Sequence, residues 1–126
     1  MAMGDPRRMR GQRREQRAER FSCGLGDTSL GRNFRSSRGE IDLLVRNRET
    51  VVFVEVRLHS QALFGDPLAS IDQRKQRRIA KAALHYVSRF NLHDTAARFD
   101  VLGILGVDES LKLTHIKDAF ELPPGW

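Results

Sequence analysis

Gly39-Glu-Ile-Asp-Leu-Leu-Val-Arg46, Asn47-Arg-Glu-Thr50 and Val51-Val-Phe-Val-Glu-Val-Arg57 are the stretch that decides this chain. The outer runs are rich in β-branched residues and the four residues between them are polar, which predicts a β-hairpin with a four-residue loop. Arg46 then faces Val51. Counting outward, Asp42 falls opposite Glu55, and Glu40 opposite Arg57. Opposed side chains share a face, with Cβ atoms about 5 Å apart. Alternation puts Glu40, Asp42, Leu44, Val51, Phe53, Glu55 and Arg57 on one face. Ile41, Leu43, Val45, Val52, Val54, Val56 and Leu58 take the other, which is wholly apolar and must meet a core. The first face is apolar near the turn and charged at its far end.

Two directly opposed carboxylates repel, more strongly as they are buried. A shared proton, a basic neighbour or a divalent cation would each offset the repulsion. Oxygen ligands suit a hard ion, Mg²⁺ or Mn²⁺, which lowers the pKa of bound water and steadies charge building on a phosphate. The plainer reading is a surface network in which Arg57 and neighbouring arginines pair with both acids. A one-residue slip of register would separate the pair altogether.

Working outward, a strand is expected from Thr28 to Arg35, with Ser36-Ser37-Arg38-Gly39 as a turn. A helix is expected from Gln12 to Cys23, with a thin apolar face of Ala18 and Phe21. His59 to Ala69 reads as a loop. Residues 70 to 90 read as the longest helix, with Ile79, Ala83, Tyr86, Val87 and Phe90 on one stripe, Ser70 as its cap and Asp72 in its first turn. Phe99 to Leu105 and Leu111 to Ile116 complete the set. The order α-β-β-β-α-β-β predicts an α/β fold, a mixed central sheet flanked by helices. Residues 1–10 read as a disordered basic arm, 11–120 as a single domain and 121–126 as a tail.

The chain has 126 residues, enough for one core without disulfides or a structural metal. Its single cysteine, Cys23, excludes a disulfide framework or Cys-cluster metal site. No stretch is apolar for long enough to span a membrane and the arginine-rich start lacks an apolar signal core, so a cytoplasmic protein is expected. Twenty-two Lys and Arg against 16 Asp and Glu give a net charge of +6, with a pI near 10.4. Such a balance points to a polyanion partner. Eighteen of those basic residues are arginine, the side chain suited to bidentate phosphate contacts. Arg74, Lys75 and Arg78 lie on the basic side of the long helix, where a solvated face and a phosphate-contacting face read alike. His59, His85, His93 and His115 are too scattered for a zinc site. The aromatics fall mostly at apolar positions, which argues against base stacking.

Gly39-Glu-Ile-Asp-Leu43 followed by Val52-Phe-Val-Glu-Val-Arg57 resembles the metal-binding core of PD-(D/E)XK nucleases. The wider string is similar to the bacterial YraN family: Leu30-Gly-Arg-Asn-Phe-Arg35, both strands, Phe64-Gly-Asp-Pro67, Lys75 and Arg98-Phe-Asp-Val101 carry the match, over about Gly11 to Phe120. The resemblance implies a restriction-endonuclease-like fold, close to archaeal Holliday-junction resolvases. By position it makes Asp42 and Glu55 the metal ligands, with Glu15 on the first helix joining them at the catalytic centre. It also implies a homodimer and branched DNA as substrate.

The motif's lysine is Arg57 here. Arginine keeps its proton, so it can hold a phosphate or steady transition-state charge but cannot act as a base. Three readings result. In the first, Asp42 and Glu55, with Glu15, hold Mg²⁺ (or Mn²⁺) for hydrolysis of DNA, while Arg57 steadies charge and Arg35, Arg74, Lys75, Arg78 and the arginine arm grip flanking phosphates. In the second, the same fold is a non-catalytic nucleic-acid-binding module. In the third, it is a scaffold whose basic arm docks an acidic partner or RNA.

Overall fold

The computed structural model describes residues 6–59, 67–105 and 112–122. Their order is α1 (Pro6–Gly24), β1 (Thr28–Ser36), β2 (Gly39–Asn47), β3 (Thr50–His59), a 3-10 turn (Pro67–Ser70), α2 (Gln73–Arg89), β4 (Ala97–Leu105) and β5 (Lys112–Phe120). The strands form one five-stranded sheet in the order β1-β2-β3-β4-β5. All neighbours are antiparallel except β3 and β4, which run parallel because α2 carries the chain back between them. The α/β class and the element order are as the sequence predicts.

The hairpin keeps the expected register, with Leu43 facing Val54 and Arg46 facing Val51. Its turn is tighter than expected. Asn47 pairs with Thr50, so only Arg48 and Glu49 turn the chain, and Arg48 adopts φ +55° to do so.

Helices cover both faces. Ile79, Ala80, Ala82 and Ala83 of α2 pack on Leu44, Val51, Phe53, Phe99 and Val101. Ala18 of α1, flanked by Phe21, packs on Leu43, Val45, Val52, Val54, Val56, Leu102 and Ile104. The second hairpin face is therefore core, but not uniformly as alternation predicts. Ile41 joins Leu44 on the α2 side, and Leu58 is exposed. The reason for the first lies at Asp42. Pairing with β3 stops at Leu43 and Asn33 across on β1 takes φ +56°, so the regular ladder and its strict alternation end there.

The helix ends also differ. α1 begins at Pro6, a residue whose fixed φ suits a first helical position, so residues 6–10 are helix and not a disordered arm. α2 begins after Asp72, whose carboxylate accepts the Lys75 N–H at 2.8 Å. Ser70 is not the cap, because it belongs to the preceding 3-10 turn. β5 runs on to Phe120 because a bulge at Asp118 (φ +50°) lets pairing resume between Phe99 and Phe120. Residues 64–66 of the Phe64-Gly-Asp-Pro67 motif and residues 1–5 lie outside the described residues. No described helix is long and apolar enough to cross a membrane.

Candidate active site

The open ends of β2 and β3 bring Asp42 and Glu55 together. Both are buried, at 6% and 5% exposed. Where the backbone ladder stops, Asp42 replaces it: its Oδ2 accepts the Val56 N–H at 2.9 Å. Glu55 lies close enough for the charge of Asp42 to act on its carboxyl group. Burial, and then the charge of Asp42, push Glu55 up to about 7, against the pull of Lys75.

Glu15 reaches the same place from α1 and is 4% exposed. Burial and the neighbouring Asp42 raise its pKa, while a hydrogen bond from Asn33 opposes the rise. Its Oε2 is buried with no hydrogen-bond partner among the described residues. The resemblance named Glu15, and the fold brings it beside Asp42. Three carboxyls that feel one another's charge, one of them with a buried oxygen left over, fit a hard divalent cation. Among the described residues, no three acids, histidines or cysteines close into a ready-made metal cage. Mg²⁺ does not need one, since it commonly takes one or two carboxylates, waters and the substrate's own phosphates.

The basic candidates divide. Lys75 reaches down from α2 and sets its Nζ 3.1 Å from Glu55 Oε1. Arg57, the residue at the motif's lysine position, turns away. Its Nε and Nη2 donate to Ser70 Oγ and Ser70 O at 3.1 and 2.7 Å, and only Nη1 faces Glu55, at 3.7 Å. Arg57 thus ties β3 to the turn before α2. Arg35 and Arg78 line the cavity above the acids, and Arg74 does not. The cavity is about 540 Å³, with six basic side chains against Glu40, Asp42 and Glu55. No aromatic side chain lines it among the described residues.

Sequence reasoning missed Lys75 as a partner of Glu55, because helical spacing marks only a basic face. Asp100 is 1% exposed and accepts from Arg98, from the Asp118 N–H at 2.9 Å and from His115 Nε2 at 2.8 Å.

The family model for the uncharacterised protein family UPF0102 matches residues 14–104, which include Glu15, Asp42, Glu55 and Lys75. This chain belongs to that family. A UPF0102 protein of Geotalea daltonii is 46% identical over 103 residues, covering 81% of each chain. One from Desulfosudis oleivorans is 40% identical over 119 residues, 94% of this chain and 95% of its own. One from Halorhodospira halophila is 42% identical over 116 residues, 92% of this chain and 89% of its own. The UPF0102 match thus spans the site from α1 to β4 and confirms the family that the hairpin motifs suggested.

Proposed function

We propose that this UPF0102 protein is a metal-dependent endonuclease that hydrolyses phosphodiester bonds in DNA, with a restriction-endonuclease-like core and a cytoplasmic setting. The observation that carries the reading is the pair Asp42 and Glu55 on the floor of a basic cavity, with Glu15 buried close enough to Asp42 to feel its charge and carrying an oxygen without a partner among the described residues. A basic cavity draws in a phosphate, and clustered acids on its floor suit a cation between protein and substrate.

Asp42 and Glu55 would hold Mg²⁺ or Mn²⁺, with Glu15 beside them. When bound, the ion supplies Lewis acidity to the phosphate and lowers the pKa of water. Asp42 is aimed by the Val56 N–H, so its second oxygen has a fixed direction. Lys75 keeps Glu55 company as the opposite charge. Lys75 is also the only amine among the described lining residues. Its compact ammonium is a point charge that can serve a phosphate oxygen beside Glu55. Water adds to phosphorus, the P–O ester bond breaks, and the departing oxygen takes a proton. One strand end keeps the phosphate and the other a hydroxyl. Arg57 acts through Ser70, holding the strand that carries Glu55 against the entry to α2. Branched DNA and a homodimer rest on the resemblance alone.

The test is cleavage of a labelled four-way junction, linear duplex and single strands with Mg²⁺, Mn²⁺ or EDTA. An Asp42→Ala, Glu55→Ala double variant runs alongside. Metal-dependent cleavage by the wild type, absent in the variant, is expected. Tight binding without cleavage would assign a non-catalytic nucleic-acid-binding module.

A further inference from the structure

The cavity has a second half, toward the β1–β2 turn, whose chemistry differs from that of the acids. Arg14 enters it from α1, Arg38 from the turn and Arg78 from α2. Arg38 and Arg78 enter no ion pair among the described residues, and the Nε of Arg14 is buried without a hydrogen-bond partner. The wall that carries them is fixed. Ser36 Oγ accepts the Arg38 N–H and donates to Gly39 O, both at 3.2 Å, which closes the turn on itself. Gly39 then packs against the Arg78 backbone carbonyl so closely that a Cβ would collide with it. The turn thus lies directly against α2, which sets Arg38 and Arg78 on neighbouring walls of the cavity. Three guanidiniums that face one cavity, two of them outside any ion pair among the described residues, suit an anion.

We propose that Arg14, Arg38 and Arg78 form a second phosphate subsite, which takes a phosphate neighbouring the one placed over Asp42 and Glu55. This rests on the nucleic-acid reading above and adds where the strand is gripped. The ligand is a phosphate of a polynucleotide strand, held by its charge and oxygens. With no aromatic in the described lining, the bases are not read by stacking, so recognition is independent of sequence. Three guanidiniums exceed the single charge of one internal diester. A terminal phosphate monoester and a pair of successive diesters both meet that demand, and they are the two possible sources.

The experiment is anisotropy titration of the full chain with a labelled oligothymidylate in EDTA, where neither metal nor cleavage contributes. The cavity variants are R38A with R78A, and R14A alone. The control is R77A with K81A, on exposed positions of α2 outside the cavity. The double cavity variant is expected to bind about tenfold more weakly, and its salt dependence to flatten by about 1.4, at 0.7 per lost strand contact. The control pair is expected to change binding by less than about twofold. R38A sits on an exposed turn, so its loss of affinity with unchanged thermal unfolding separates binding from folding. Oligomers with and without a terminal phosphate distinguish the sources: tightening by the phosphate in the wild type but not in R38A assigns a strand end, and equal binding assigns internal diesters. Equal weakening by cavity and control variants would overturn the subsite, as would absence of binding at low salt. Failure of cleavage in Mg²⁺ would overturn the nuclease reading and leave this result standing.

Discussion

Lys75, on α2, holds its Nζ 3.1 Å from Oε1 of Glu55, on β3. The close positive partner of this buried acid thus comes from the helix that crosses over the sheet. Arg57, two residues along the same strand, is engaged with Ser70 instead. Exchanging the two roles therefore gives different phenotypes. Lys75→Met should cut the single-turnover cleavage rate by about 100-fold or more while the fold is kept, since a charge positioned at the reacting phosphate contributes on that scale. Arg57→Ala should lower thermal stability, with a smaller loss of rate at saturating substrate.

The carboxyl pair makes metal-free stability fall as pH rises. Glu55 has its pKa raised from 4.5 to about 7 in the folded chain. The folded state therefore binds the proton more tightly than the unfolded one. The stabilisation is complete below about 4.5 and is lost as pH passes through about 7. Glu55→Gln should flatten that slope and raise Tm at neutral and higher pH. Mg²⁺ should raise the wild-type Tm more at pH 8 than at pH 5 and leave the variant nearly unmoved. Calorimetric scans across pH, with EDTA and with Mg²⁺, check both.

Glu15 offers the sharpest separation of stability from function. Its Oε2 is buried and unpartnered among the described residues, and burial together with Asp42 raises its pKa. Replacing the charge should cost the fold nothing. Glu15→Gln is expected to unfold at or above the wild-type temperature without metal, yet to bind Mn²⁺ about tenfold more weakly by titration calorimetry.

Asp100 should behave in the opposite way. Burial opposes its ionisation, but hydrogen bonds from His115, Arg98 and the Asp118 N–H outweigh burial and hold its pKa below the ordinary 3.8. Its contribution is present above that ordinary value and is lost as pH falls through the lower, folded one. Asp100→Ala leaves Arg98, His115 and a backbone N–H without their acceptor, at a cost of about 3 kcal/mol. Chemical denaturation should show that loss. Mn²⁺ affinity should hold, because Asp100 does not line the cavity.

What the sequence determined by itself is the local part of the design. Runs of β-branched residues around a polar turn fix the register of β2 on β3, and that register, carried one pair past the end of the ladder at Leu43 and Val54, points Asp42 toward Glu55. The apolar stripe of α2 and the order of elements are legible for the same reason: periodicity acts over a few residues. Tertiary structure decided the rest. Lys75 lies in a basic helical run indistinguishable from a solvated face until α2 is docked over β3. Glu15 sits on a helix with little apolar patterning, and only Ala18 packing beneath the sheet turns it toward Asp42. Alternation failed at Ile41 because Asp42, and not the backbone ladder, receives the Val56 N–H. Side-chain charges meet according to how whole elements pack, and no short window of sequence records that geometry.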